Sequence, residues 1–186
     1  MQNEEASSHQ VLDEETLAFA QRIFQYARGG YAEQLGELLQ MGLPPNIRND
    51  KGDSLLMLAS YHGHREAVRL LLDHGGDPEL ANDRGQTPLT AAAFKGDIAV
   101  VRLLLEAGAG VNSQGEGGRT PLMVAAMFNR SDIVDLLLAN DADVNARDAT
   151  GLTAEDAARA MGAPDTSEQL RLHRLGPQAP NEDVGG

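Results

Sequence analysis

A period of 33 residues runs through most of this 186-residue chain and limits its fold more than any other feature. Glycines keep the interval at Gly52, Gly85, Gly118 and Gly151. Alanines keep it at Ala59, Ala92, Ala125 and Ala158, and three Leu-Leu-Leu runs begin at Leu70, Leu103 and Leu136. A repeat of this length forms one small structural unit that cannot bury its apolar face alone. The sequence therefore predicts a stack of similar units.

Each unit has the pattern of a turn followed by two helices. In the unit that begins at Asn82, turn residues precede Thr87 and Pro88, a hydroxyl cap and a first-turn proline that together start a helix. Gly96 ends this helix, and the apolar run 100–105 supplies the buried stripe of a second one. The pattern predicts an all-α protein made of helix-turn-helix units.

These residues resemble the ankyrin-repeat family, in particular its small bacterial members. Gly-Gln-Thr-Pro-Leu at 85–89 and Gly-Arg-Thr-Pro-Leu at 118–122 match the family motif, and paired alanines follow at 92–93 and 125–126. The resemblance covers roughly residues 17–175 and implies a solenoid of about five units with projecting β-turn or hairpin loops. The expected units are 17–48 as the N-terminal cap, 49–81, 82–114, 115–147, and 148–175 as the C-terminal cap.

Several departures from the family pattern carry their own expectations. Asn129 and Asp141 stand where glycine is usual, and both tolerate positive φ better than most residues. In the last unit Ser167, Gln169 and Arg171 interrupt the second apolar stripe, which predicts the polar outer face of a terminal cap.

The expected repeat domain spans residues 13–175. Outside it, the acidic segment 1–12 and the segment 176–186 have few apolar side chains to offset the entropy cost of ordering, so we expect two disordered tails.

Composition excludes several classes of protein. The chain has no cysteine, which rules out disulfide scaffolds and cysteine-based metal or catalytic sites. Its net charge of −13 argues against nucleic acid as a partner. No apolar run suits a membrane span or a secretory signal, so we expect a cytoplasmic protein without a membrane partner.

Motifs for catalysis or cofactor binding are weak. His62, His64 and His74 lack a carboxylate that would complete a metal site. The Gly-rich segment 115–118 has no following Lys-Ser/Thr, unlike a phosphate-binding loop. We therefore predict no catalytic, cofactor or metal site, and a protein that is not an enzyme.

Binding residues follow from the resemblance, which implies that partners contact the repeat turns and the concave face formed by the first helices. The predicted contact residues in the turns are Lys51, Asp53, Arg84, Gln86 and Arg119. Those just before the break between paired helices are Tyr61, His62, Phe94, Lys95, Met127 and Phe128. Large apolar side chains there are typical of a contact surface, although packing between adjacent helices would also explain them. The apolar run 122–128 is the expected centre of the surface.

Charge on this presumed surface differs from that of the whole chain. Seven basic residues map to turns or pre-break positions: Arg28, Arg48, Lys51, Arg84, Lys95, Arg119 and Arg147. Five acidic residues share the surface: Asp50, Asp53, Asp83, Glu116 and Asp148. The excess favours a protein partner with an acidic rim around an apolar anchor. We expect a monomeric adaptor or inhibitor; the alternatives are a structural role through self-association and, less favoured, an enzyme.

Overall fold

A computed structural model of the chain describes the backbone of residues 2–176 and the side chains of residues 14–176. In this part of the chain the regular structure is helical, apart from one isolated bridge between Arg48 and Ser54. The α-helices are α1 (Gln2–Gly29), α2 (Ala32–Gln40), α3 (Leu55–His62), α4 (Arg65–Asp73), α5 (Pro88–Lys95), α6 (Ile98–Glu106), α7 (Pro121–Met127), α8 (Ser131–Leu138), α9 (Ala154–Ala160) and α10 (Pro164–Leu175). The predicted all-α class is confirmed.

The helices form five successive pairs, from α1 with α2 to α9 with α10. The pairs group into two compact units. The first, Met1–Ala109, holds α1 to α6, and the second, Gly110–Gly186, holds α7 to α10.

In the first unit, α3 packs between α1 and α5, and each of these helices also packs against the second helix of its own pair. Alanines make the close approach possible, because Ala27, Ala59 and Ala92, one on each of these helices, are completely buried. The second helices contribute larger side chains to the core, among them Leu71 and Leu104, which are also completely buried.

In the second unit, α7 packs against α8 and α9, and α10 packs against α9. A buried hydroxyl links the outermost helix to α7: Thr166 Oγ1 donates to the carbonyl of Ala126 at 2.7 Å. The polar outer face predicted for this helix is only partly present. Gln169 lies toward α8, where its amide donates to Ser131 O at 3.0 Å and to the Asp135 carboxylate at 2.6 Å.

Local signals in the sequence place the helix ends correctly. Ser54, Thr87, Thr120 and Thr153 each cap the first helix of a pair by accepting a hydrogen bond from a backbone N–H in its first turn. Asn129 and Asp141 adopt φ of 54° and 64°, as predicted for residues that replace glycine.

The two expected tails fall partly or wholly outside the described residues. The backbone of α1 begins at Gln2, so residues 2–12 are helical where we expected a disordered segment. The side chains of residues 1–13 lie outside the described part, as do residues 177–186. Disorder of residues 177–186 therefore stays a prediction.

Candidate interaction surface

The turns of the first unit are closed by the same hydrogen bonds. Asn49 N donates to Asp53 O at 3.0 Å, and one repeat later Asn82 N donates to Gln86 O at 2.9 Å. The side-chain oxygen of each asparagine also accepts two backbone N–H groups of its own turn. Such side-chain bonds hold a turn in one conformation.

Two predicted contact residues are engaged inside these turns. The Asn82 side-chain amide donates to the Asp53 carboxylate at 2.9 Å and to the Gln86 side-chain oxygen at 3.0 Å. The bond to Asp53 connects neighbouring turns, whereas the bond to Gln86 lies within one turn, and both residues therefore already hold a hydrogen bond inside the protein. Lys51 and Arg84, from the same turns, are exposed.

An ion pair between adjacent turns involves one residue of each charge, so the expected excess of basic residues is unchanged. The Arg48 guanidinium lies 2.9 Å from the Asp83 carboxylate and also donates to Gly52 O and Ala81 O. These two opposite charges neutralise each other, so neither Arg48 nor Asp83 is available to a partner at full strength. Lys51 and Arg84 are further exposed basic groups of this region.

The first turn of the second unit is built differently. Gly115 occupies the position of the turn asparagines and brings no side chain, and a 3₁₀ turn, Glu116–Gly118, follows it. In the next turn Asp148 occupies this position, and its carboxylate accepts hydrogen bonds from Thr150 N and Leu152 N. The pKa of Asp148 is lowered mainly by the hydrogen bond from the Thr150 hydroxyl, with a smaller contribution from the positive charge of Arg119. The predicted contact residue Arg119 is exposed.

At the ends of the first helices, the first unit carries two stacked aromatic rings. Tyr61 and Phe94 lie one repeat apart, with ring centroids 6.0 Å apart and an angle of 12° between their planes. The two residues are 39% and 37% exposed. The two rings pack on each other and still remain partly exposed to solvent. Packing between adjacent helices and contact with a partner are therefore compatible explanations.

Positive side chains surround this aromatic pair. Lys95 Nζ lies 5.3 Å from the centroid of the Tyr61 ring, within the range of a cation–π interaction. The His62 ring meets Tyr61 edge-on and stacks on His64. Partial burial lowers the pKa of His62, and the positive charges of His64, Lys95 and Arg28 lower it further.

His64 was not among the predicted contact residues, although it follows the glycine break and lies two residues from His62. Its Nε2 lies 2.7 Å from the carbonyl oxygen of Arg28. Because a carbonyl only accepts, this ring nitrogen donates the hydrogen bond, which joins the first repeat to the second. Spacing alone could have flagged His64 but could not show that its partner lies on α1.

The corresponding ends in the second unit are apolar. Met127 is half-buried and Phe128 is 37% exposed. The run 122–128 was the expected centre of the contact surface, but Leu122, Met123, Ala125 and Ala126 are buried. The apolar character of this run therefore serves mainly the core, and it does not support a binding centre there.

Two searches of the described residues bear on other kinds of site. No group of three or more His, Asp or Glu side chains in this part of the chain is arranged to hold a metal ion. No helix among the same residues combines the length and the apolarity needed to cross a membrane.

Comparison with known proteins gives consistent matches. A family model described as ankyrin repeats in three copies matches residues 23–115, 75–148 and 107–173. A Pseudomonas aeruginosa protein whose name describes it as an ankyrin repeat protein is 61% identical over 57 residues. That alignment covers 31% of this chain and 33% of the relative, so the match spans about a third of each protein.

Proposed function

This chain belongs to the ankyrin-repeat family, and from that premise we propose that it is a cytoplasmic, monomeric adaptor or inhibitor that binds a folded protein partner. Ankyrin repeats are generally protein–protein interaction modules, and the family is typically non-enzymatic. The proposed contact surface comprises the turns and the ends of the first helices. In the first unit these carry Lys51, Tyr61, Arg84, Phe94 and Lys95.

The observation that carries the proposal is the stacked pair of Tyr61 and Phe94. Each side chain keeps more than a third of its area exposed while its orientation is fixed by the other ring. A rigid aromatic side chain loses little conformational entropy when a partner covers it, which is why such residues dominate interface energetics. The nearby basic groups favour an acidic rim around the apolar anchor of the partner.

Affinity capture from native lysate with mass spectrometry would identify the partner, and titration calorimetry would then test the surface. We expect Tyr61→Ala, Phe94→Ala or Phe128→Ala to weaken binding, with at least one costing about 2 kcal/mol or more. Met41→Ala is the matched control, because Met41 is exposed at the end of α2, away from the proposed surface.

Circular dichroism melts of the same variants separate binding from packing. Variants that lose affinity while keeping their melting temperature support the proposal. Full affinity in all three aromatic variants would overturn it. Light scattering after size-exclusion chromatography tests the alternative, since a stable oligomer would favour a role through self-association.

A further inference from the structure

The cluster of Arg28, Tyr61, His62, Phe94 and Lys95, which we call the aromatic–cationic patch, has a chemistry more specific than that of a general protein-binding surface. We propose that this patch binds an acidic peptide segment of the partner and that His62 takes up a proton when the segment docks. The proposal rests on the proposed protein-binding function and names the chemistry of the bound segment and its regulation by pH.

The patch combines an apolar platform with positive charge. The stacked rings of Tyr61 and Phe94 both stay partly exposed and so offer apolar area to a side chain of the segment. Lys95 lies over Tyr61 and is exposed, so its ammonium group is held beside the platform and remains accessible to a carboxylate. A segment that places an apolar side chain between acidic residues meets both features.

All the charges that shift the pKa of His62 are positive. They are Arg28 from α1, His64 from the break between α3 and α4, and Lys95 from the end of α5. The nearby acidic residue Asp97 is already engaged. Its carboxylate accepts hydrogen bonds from Ala99 N and Val100 N and lies 3.3 Å from the Arg65 guanidinium. Among the described residues, the ion pairs do not include Arg28 or Lys95, so the patch keeps an excess of positive charge.

The histidine couples this charge to pH. The pKa of His62 lies below its usual value in the unbound protein, since partial burial and then the positive neighbours disfavour the charged ring. Carboxylates docked on the patch would favour the protonated ring and raise that pKa. Binding then takes up a proton, and affinity increases as the pH falls through the interval between the unbound and bound values.

The test uses a peptide with capped termini in which Glu and Ser residues alternate around a central Phe. Its analogue has Gln in place of each Glu. We expect the Glu peptide to bind the full chain about fivefold more tightly than the Gln analogue at low salt. NMR chemical-shift changes should centre on the backbone amides of residues 61–62 and 94–95. The Glu peptide should raise the pKa of the His62 ring, and its affinity should be about twofold higher near pH 6 than near pH 8.

Matched variants locate the effect. Lys95→Gln should abolish most of the preference for the Glu peptide. Arg102→Gln also removes one positive charge, from an exposed side chain of α6, and should leave the preference unchanged. His62→Gln should remove the pH dependence. Phe94→Leu keeps an apolar side chain but removes the stack, so it should weaken both peptides equally.

Equal affinity for the Glu and Gln peptides, shift changes centred elsewhere, or a His62 pKa that the peptide does not raise would overturn the proposal. These outcomes leave the proposed function intact, because a captured partner whose binding depends on Tyr61 and Phe94 would still support it. If the peptide behaves as expected but no partner depends on these residues, the proposed function fails instead.

Discussion

The two compact units differ in the residues at the ends of the first helices of their pairs. In the first unit the residues before the break are Tyr61 and His62 in one repeat and Phe94 and Lys95 in the next. In the second unit the equivalent positions hold Met127 and Phe128, then Ala160 and Met161. In the first unit each aromatic residue is followed by a basic residue type, His62 or Lys95. In the second unit all four positions hold apolar residues. The same backbone period thus presents two different surfaces.

The turns show a related difference. In the first unit Asn49 and Asn82 hold successive turns through their side chains, whereas the second unit begins with Gly115 and has Asp148 one repeat later. Below this surface the two units share part of their core, because Ala59, Ala92, Ala125 and Ala158 are buried at one repeat position and Leu71, Leu104, Leu137 and Leu170 at another. The comparison teaches that the units share core and cap positions, and that the proposed contact surface uses positions that the core does not.

The largest expected effects test whether the cores are equivalent. Leu104 and Leu137 occupy the same repeat position in the two units, and both are completely buried. Leu104→Ala and Leu137→Ala should each lower the free energy of unfolding by about 2–5 kcal/mol, through lost apolar burial and a residual cavity. Urea denaturation measures both values, with exposed Met41→Ala as a control that should change little. Losses that differ by more than about 2 kcal/mol would break the equivalence.

The next effect tests the difference in charge. Changing Lys51, Arg84 and Lys95 to Glu reverses three exposed charges in the first unit, and Arg119→Glu reverses one in the second. The triple variant should lower the association rate of the partner by about tenfold or more at low salt, because steering depends on the local field. The single variant should change it less.

Stopped-flow kinetics over a range of salt concentrations would check this prediction. The gap between the triple variant and the original protein should narrow as salt screens the charges. An unchanged or faster association rate would remove the charge argument and leave the aromatic pair to explain recognition.

The smallest effect compares two helix caps. Thr87 accepts a hydrogen bond from Thr90 N while the Thr90 hydroxyl accepts one from Thr87 N, whereas Thr120 has only the bond from Met123 N. Thr120→Ala should cost about 1 kcal/mol in the free energy of unfolding, and Thr87→Ala somewhat more, since it also disturbs the reciprocal pair. Thermal melts of both variants, repeated in a Thr90→Val background, would show whether the second hydrogen bond accounts for the difference. An equal cost in both backgrounds would contradict this explanation.

Much of the fold could be predicted because its signals are local. A hydroxyl before a first-turn proline, as at Thr87 and Thr120, caps a helix whatever the rest of the chain does, and both caps are present. The positive φ of Asn129 and Asp141 follows from their place at a helix end in the same way. The predictions that needed revision concern contacts between repeats. Asp53 and Gln86 were expected to contact a partner, but both accept hydrogen bonds from Asn82, and the bond to Asp53 connects two turns.

The sequence by itself therefore determined the period, the helix pairs, their caps and the positions where the chain turns, since each depends on residues only a few places apart. Tertiary structure alone decided what neighbouring repeats do with the remaining side chains. It paired Arg48 with Asp83, stacked Tyr61 on Phe94, and buried most of the apolar run 122–128. The physical reason is that side chains about a repeat apart meet only when the helices pack. Packing then determines which charges are neutralised and which apolar groups stay exposed.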